Sequence, residues 1–255
     1  MHESSEGPTV LESSILCTII DIVLVGTLNS GNVGSAARAM ANMGLSSLIL
    51  VSPRCKIDAQ SYAMATHGDG ILRSARTLTS LRDAIAQDVY VFGTTARSRR
   101  WRDSIDPREL GGRAAQHARG GRVAIVFGPE DMGLSNDELE LCNEVVGIPT
   151  AEGASSLNVS HAVLLVCYEL FMACGKQEHT DTAYPDPAPV SMVEAMYDHM
   201  RESLLEIGFL NPQNPEYTLG MIRRLLSRTG LSVPEARMLR GLFRQLVWYI
   251  RKKNS

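Results

Sequence analysis

Five short apolar runs punctuate the first 150 residues, and each stops at a glycine, proline or polar loop. They are Thr18–Val25, Leu48–Val51, Asp88–Phe92, Val123–Phe127 and Val145–Ile148. None alternates apolar with polar positions, so each reads as a strand covered on both faces. Helical signals separate them, at 36–43, 80–87 and 109–119. Repeated strand–helix alternation of this kind predicts an α/β chain: a mostly parallel sheet with helices on both faces. Ligands of such sheets sit in the crevice at the carboxyl ends of the strands, which directs attention to the loops that follow the runs.

The richest of these loops lie between residues 122 and 171. After Val123–Phe127 comes Gly128-Pro129-Glu130-Asp131-Met132-Gly133. After Val145–Ile148 comes Pro149 and a Gly/Ser-rich loop to Ser156, and then an apolar helix over 157–174. Two strand ends therefore deliver backbone amides, one carboxylate, Ser156 and Asn158 towards one crevice. The first strand ends in a Gly-rich turn, Gly26 to Ser35, that leads into a helix closed by Gly44. This turn carries no Gly-Lys-Ser/Thr and no GxGxxG. A Rossmann dinucleotide enzyme would need an acidic residue ending the second strand. Val51-Ser52-Pro53-Arg54 stands there instead.

Beyond Cys174 the composition changes. Residues 175–190 hold three prolines in a polar context and read as an exposed linker. Residues 191–255 read as three helices, at 191–208, 217–228 and from Ser232 onward. The last opens with Ser232-Val-Pro-Glu235, a capping-box pattern. The domain reading is a flexible extension at 1–17, a sheet domain at 18–174, a linker at 175–190 and a helical module at 191–255.

Net charge is −3, but its distribution is uneven. Residues 217–255 hold nine Lys/Arg against Glu235 alone, and Arg97, Arg99, Arg100 and Arg102 surround Trp101. Basic clusters around an aromatic suit phosphate contact with base stacking. No apolar run approaches the roughly 20 residues that span a bilayer, so no membrane partner is expected. The five cysteines form no CxxC pair and no metal spacing. The expectation is a cytoplasmic protein with reduced thiols and no metal.

Three segments together resemble the SpoU branch of the SPOUT RNA methyltransferases. They are Asn32-x5-Arg38, Phe127-Gly128-Pro-Glu130-x2-Gly133-Leu134, and Ile148-Pro149-x6-Ser156-Leu157-Asn158-Val159-Ser160. GTTARSR at 93–99, ARAMANMG at 37–44 and the helical C-terminal module narrow the likeness to bacterial tRNA enzymes acting on the ribose of the pyrimidine at anticodon-loop position 32. The resemblance implies a SPOUT fold with a C-terminal trefoil knot, a homodimer, and S-adenosylmethionine as methyl donor to tRNA. It implies a catalytic set of Arg38, Asn32, Glu130, Ser156 and Asn158. The donor would be held by Thr94, Thr95, Ala96, Gly128, Ile148, Ser156, Leu157 and Asn158, and RNA by Arg97, Arg99 and Arg100. A guanidinium stays protonated in proteins, so Arg38 is expected to act by charge and positioning, with a solvated helix arginine as its structural alternative; capping, or pairing with an arginine such as Arg38, is the alternative for Glu130. Methylation of rRNA or of another tRNA site, and an idle RNA-binding relative, are the competing readings. His67 and His161 stand outside the motifs and are not assigned chemistry.

Overall fold

The computed structural model describes residues 19–96, 104–151, 156–174, 187–227 and 230–253. Six parallel strands form one sheet in the order β3-β2-β1-β5-β4-β6. They are β1 (Ile20–Val25), β2 (Ser47–Val51), β3 (Arg76–Leu78), β4 (Tyr90–Thr95), β5 (Val123–Phe127) and β6 (Glu144–Gly147). The five expected strands are present within a few residues. The sixth, β3, is a three-residue edge strand paired only with β2. Its sequence, Arg-Thr-Leu, has one apolar side chain and so carries no run to read.

Ten helices are described: α1 (Ser30–Asn42), α2 (Ala59–Ala65), α3 (Asp69–Ser74), α4 (Leu81–Ala84), α5 (Pro107–His117), α6 (Asn136–Glu140), α7 (Val159–Cys174), α8 (Val190–Glu206), α9 (Pro215–Ser227) and α10 (Val233–Lys253). On β1 the alternation is between two cores rather than between core and water. Ile20, Ile22 and Leu24 pack with α1, α5 and α7, whereas Val23 and Val25 pack with α4, Leu134 and Leu139. That explains the unbroken apolar runs. On the first face helices approach backbone to backbone. A Cβ on Gly34 would lie 2.1 Å from the Ser61 carbonyl oxygen in α2, and one on Gly111 would lie 2.6 Å from the Glu169 carbonyl oxygen in α7. Glycine is therefore a packing requirement where α1 meets α2 and where α5 meets α7.

Two charged clusters organise the end of the sheet remote from the carboxyl-end loops. Asp21, 1% exposed, accepts from Arg122 through Nε at 3.0 Å and through Nη2, and from the Ser47 hydroxyl. Asp88 is equally buried, and its Oδ1 has no hydrogen-bond partner among the described residues. Burial and the neighbouring Asp21 carboxylate push Asp88 up to about 8.

The second cluster joins the helical module to the sheet domain. Glu194 on α8 accepts from Arg223 on α9 at 2.6 and 2.9 Å and from Arg82 on α4. Burial opposes its charge, yet the two guanidinium groups outweigh burial and hold Glu194 below the usual carboxylate range. Arg223 also lies 4.2 Å from the centre of the Tyr197 ring. Most of the expected linker, 175–186, lies outside the described residues. Its last residues are not exposed: Ala188 and Val190 are buried, and the Val190 amide donates to the Asp88 carbonyl at 2.9 Å. Apolar side chains and a backbone tie thus dock this stretch on the sheet domain.

Two outcomes test these clusters. An ordinary carboxylate titrates near 4, so native Asp88 keeps a proton that the unfolded chain has lost over most of the neutral range. That contribution to stability is complete below about pH 4 and is lost as pH rises to about 8. The fall in melting temperature across this window should be shallower in Asp88→Asn than in the wild type. Glu194→Ala leaves Arg223 buried without its partner and should cost about 3–5 kcal/mol in chemical denaturation. A loss below 1 kcal/mol would mean that the cluster does not hold the module.

Candidate functional site

The carboxyl ends of β4, β5 and β6 open into a cavity of about 340 Å³. Thr94, Thr95 and Ala96 line it from the end of β4, and Gly128 to Gly133 from the loop after β5. Ile148, Thr150, Ser156 and Leu157 line it from the loop between β6 and α7, with Val159 and Ala162 of α7 behind. Of the eight expected donor-binding residues, seven face this cavity, and Asn158 does not. The loop after β5 is folded back so tightly that a Cβ on Gly128 would stand 2.2 Å from the Leu134 amide nitrogen. Any side chain there would force the loop open.

Beside the cavity, side chains from the three motifs join in one hydrogen-bonded chain. Asn158 precedes α7 and caps it, its Oδ1 accepting from the Ser160 amide at 2.8 Å and the Ser160 hydroxyl at 2.7 Å. Its Nδ2 donates to Asn32 Oδ1 at 2.9 Å, and Asn32 Nδ2 donates to Glu130 Oε1 at 2.8 Å. Glu130 Oε2 accepts from the Leu28 amide at 3.0 Å. Each amide oxygen and each carboxylate oxygen thus has a donor, so both amide orientations follow from the network. Asn158 caps its helix and belongs to the site at once. The turn at the start of α1 is held instead by Asn29, whose side chain accepts from the Gly31 amide at 2.8 Å. That frees Asn32 to reach across.

Arg38 stands apart. Its side chain is exposed and makes no ion pair or hydrogen bond among the described residues, so Glu130 pairs with Asn32 and Leu28 rather than with Arg38. Arg38 lies six positions along the helix from Asn32, which is about 9 Å along the axis and about 120° around it. Arg97, Arg99 and Arg100 lie outside the described residues. His161 is exposed, and His67 is occupied at Nε2 by Asn42 Oδ1 at 2.7 Å.

Sequence reasoning missed Arg54 and Asp131. Arg54 follows β2 and reaches over the end of β1. Its Nε donates to the Gly26 carbonyl at 3.1 Å, and its two terminal nitrogens face the two Asp131 carboxylate oxygens at 3.3 and 3.4 Å. Arg54 was visible only as a basic residue where a Rossmann domain has an acid. Asp131 occupies a variable position of its motif, so no pattern marked it. Beside it, burial and the nearby Glu130 carboxylate push the Cys55 thiol up, away from the thiolate form. No group of three His, Cys, Asp or Glu suited to a metal occurs among the described residues.

The comparisons with known proteins fit this arrangement. Residues 20–168 match the SpoU rRNA methylase family, and residues 191–255 match the TrmJ tRNA methyltransferase C-terminal domain. A curated relative, tRNA (cytidine/uridine-2′-O-)-methyltransferase TrmJ of Pectobacterium atrosepticum, is 41% identical over 231 residues, 88% of this chain and 94% of that protein. The crystal structure of TrmJ from Z. mobilis ZM4 superposes with a TM-score of 0.78 at 32% identity, covering 90% of this chain and 99% of that one. A putative methylase family protein from Neisseria gonorrhoeae gives a TM-score of 0.68 at 30% identity, over 76% and 99%. The chain belongs to the SpoU methylase family, and its last 65 residues are a TrmJ C-terminal domain.

Proposed function

We propose that the chain is an S-adenosylmethionine-dependent tRNA ribose 2′-O-methyltransferase acting on cytidine or uridine 32 of the anticodon loop. The observation that carries this reading is the chain Asn158–Asn32–Glu130 beside a cavity lined by small residues and backbone. The names of the TrmJ relatives give the substrate class.

The cavity suits the donor. Its volume of about 340 Å³ lies in the range of small-ligand pockets, about 300–1,000 Å³. Gly128 lets the loop fold back on itself at the cavity's edge, and Ile148, Leu157 and Val159 offer apolar walls. Thr94, Thr95, Ala96, Gly128, Ile148, Ser156 and Leu157 would hold it, largely through main-chain groups. When bound, S-adenosylmethionine supplies an electrophilic methyl group on a sulfonium.

The protein's own residues then have to place a ribose hydroxyl in line with that methyl and ease its proton away. Asn32 and Asn158 each keep one amide N–H beyond the chain described above, directed at whatever sits beside it. Glu130 fixes the Asn32 amide directly, and Asn158 through it. Arg38, exposed and unpaired, is free to grip the RNA backbone or to stabilise the developing alkoxide by its charge. Arg97, Arg99 and Arg100 would add phosphate contacts, and α10 presents Arg240, Arg244 and Trp248 on its exposed surface.

The outer face of α7 supports a homodimer. Leu164, Leu165, Tyr168 and Phe171 stand 39–50% exposed at helical spacing, with Leu157 beside them. Such a stripe on an otherwise packed helix marks a contact surface. Side-by-side loops after β4, β5 and β6 also support the trefoil threading expected of the fold, and the setting is cytoplasmic, where tRNA is found. The described helices include none long and apolar enough to cross a membrane.

Three measurements test this reading. Labelled S-adenosylmethionine should transfer its methyl to unmodified tRNA at the ribose of nucleotide 32. Transfer only to rRNA, or to another tRNA site, favours the competing readings, and no transfer to any RNA sinks the enzyme. Arg38→Ala should lower kcat at least 100-fold, with calorimetric donor affinity within about twofold of wild type; parallel loss of donor binding would make Arg38 a pocket residue. Leu165→Glu with Tyr168→Glu should shift light-scattering mass from dimer to monomer, whereas an unchanged mass would place any interface elsewhere.

A further inference from the structure

Building on the methyl-transfer reading, the geometry points to Arg54 as a positioning residue. It clamps the loop 129–133 in the shape that closes the donor cavity, and it acts through Asp131 rather than by touching the reacting atoms.

Arg54 is placed with unusual care for a surface residue. The chain leaves β2 through Ser52, whose φ of 43° is a left-handed conformation that a non-glycine residue seldom adopts. Two hydrogen bonds hold Ser52 there: its amide donates to the Leu78 carbonyl at 2.8 Å, and its hydroxyl donates to the Thr79 carbonyl at 2.9 Å. The kink turns the backbone across the end of β1, where the Arg54 and Cys55 amides donate to the Thr27 carbonyl at 2.9 and 3.2 Å. The guanidinium then packs against Gly26, at φ +60°, where an added Cβ would meet both Arg54 and Pro129 at 3.5 Å. From that seat it spans two loops, Gly26 of one and Asp131 of the other.

The second loop matters because it forms one wall of the cavity. Pro129, Glu130, Asp131, Met132 and Gly133 all line it, and the two carboxylates fix it from adjacent positions. Glu130 ties the loop to Asn32 and Leu28, and Asp131 ties it to Arg54. Removing the second tie leaves the loop free to pivot on the first. Both members of the Arg54–Asp131 pair are 44% exposed, and an ion pair so open to water adds little to folding. Its effect falls on the shape of the wall, hence on donor binding.

The experiment compares wild type with Arg54→Ala, Arg54→Lys, Asp131→Ala and the double alanine variant, using S-adenosylmethionine and unmodified tRNA. Expected are a donor KM raised up to about fivefold in either alanine variant, kcat at saturating donor changed less than twofold, and an unchanged KM for tRNA. The double variant should be no worse than either single one, since one contact is lost only once. Arg54→Lys keeps the charge without the two-pronged geometry and should fall between. Calorimetric titration with S-adenosylmethionine alone should show the same weakening, so failure of the wild type to methylate tRNA and failure of the clamp are separate results. A raised KM for tRNA with donor affinity intact would make Arg54 an RNA contact and overturn the proposal. So would strictly additive losses in the double variant.

Discussion

Two amides and one carboxylate hold together three loops that are distant in the chain. Asn158 reaches Asn32 across 126 positions, and Asn32 reaches Glu130 across 98. Those bonds fix the loops after β1, β5 and β6 against one another, alongside the Arg54 tie from Gly26 to Asp131. Each partner also answers to its own element: Asn158 caps α7, and Asn32 sits in the first turn of α1. The network is therefore anchored to two helices, at Asn158 and at Asn32, a sturdier foundation than loops alone. The cavity inherits its shape from that anchoring.

The sheet explains why the loops converge at all. All six strands are parallel, so every carboxyl end faces the same way. β1, β5, β4 and β6 are consecutive neighbours, so four loops open side by side. The opposite end of the sheet is given over to Asp21, Asp88 and Arg122, with Asp88 also receiving the backbone of the C-terminal module. Chemistry and docking thus occupy opposite ends of one sheet.

Much of this was legible from sequence. Five strands announced themselves because both faces are buried. The family resemblance singled out Asn32, Glu130 and Asn158, which hydrogen bonds join, and Ser156, which lines the cavity. What stayed hidden depends on side chains meeting across loops. Nothing in the string says that Glu130 takes Asn32 and leaves Arg38 alone, or that Arg54 faces Asp131 across 77 positions. β3 was hidden because an edge strand of three residues buries too little to need an apolar run. The last residues of the Pro-rich linker looked polar by composition, yet Ala188 and Val190 bury on the sheet domain.

Gly111 carries a consequence for reading genetic variants. Its bare Cα lets α5 lie against the backbone of α7 at Glu169, about ten residues beyond the start of the helix that Asn158 caps. A methyl group there would push on a rigid rod whose far end holds an amide of the site. Displacements near 1 Å can cost a hundredfold in rate. A patient comparison of inactive alleles would then score Gly111 beside Asn158, although it touches no ligand and lies on another helix. Such an injury is mechanical leverage, and because the clash is with the Glu169 backbone carbonyl, no smaller side chain on α7 would relieve it.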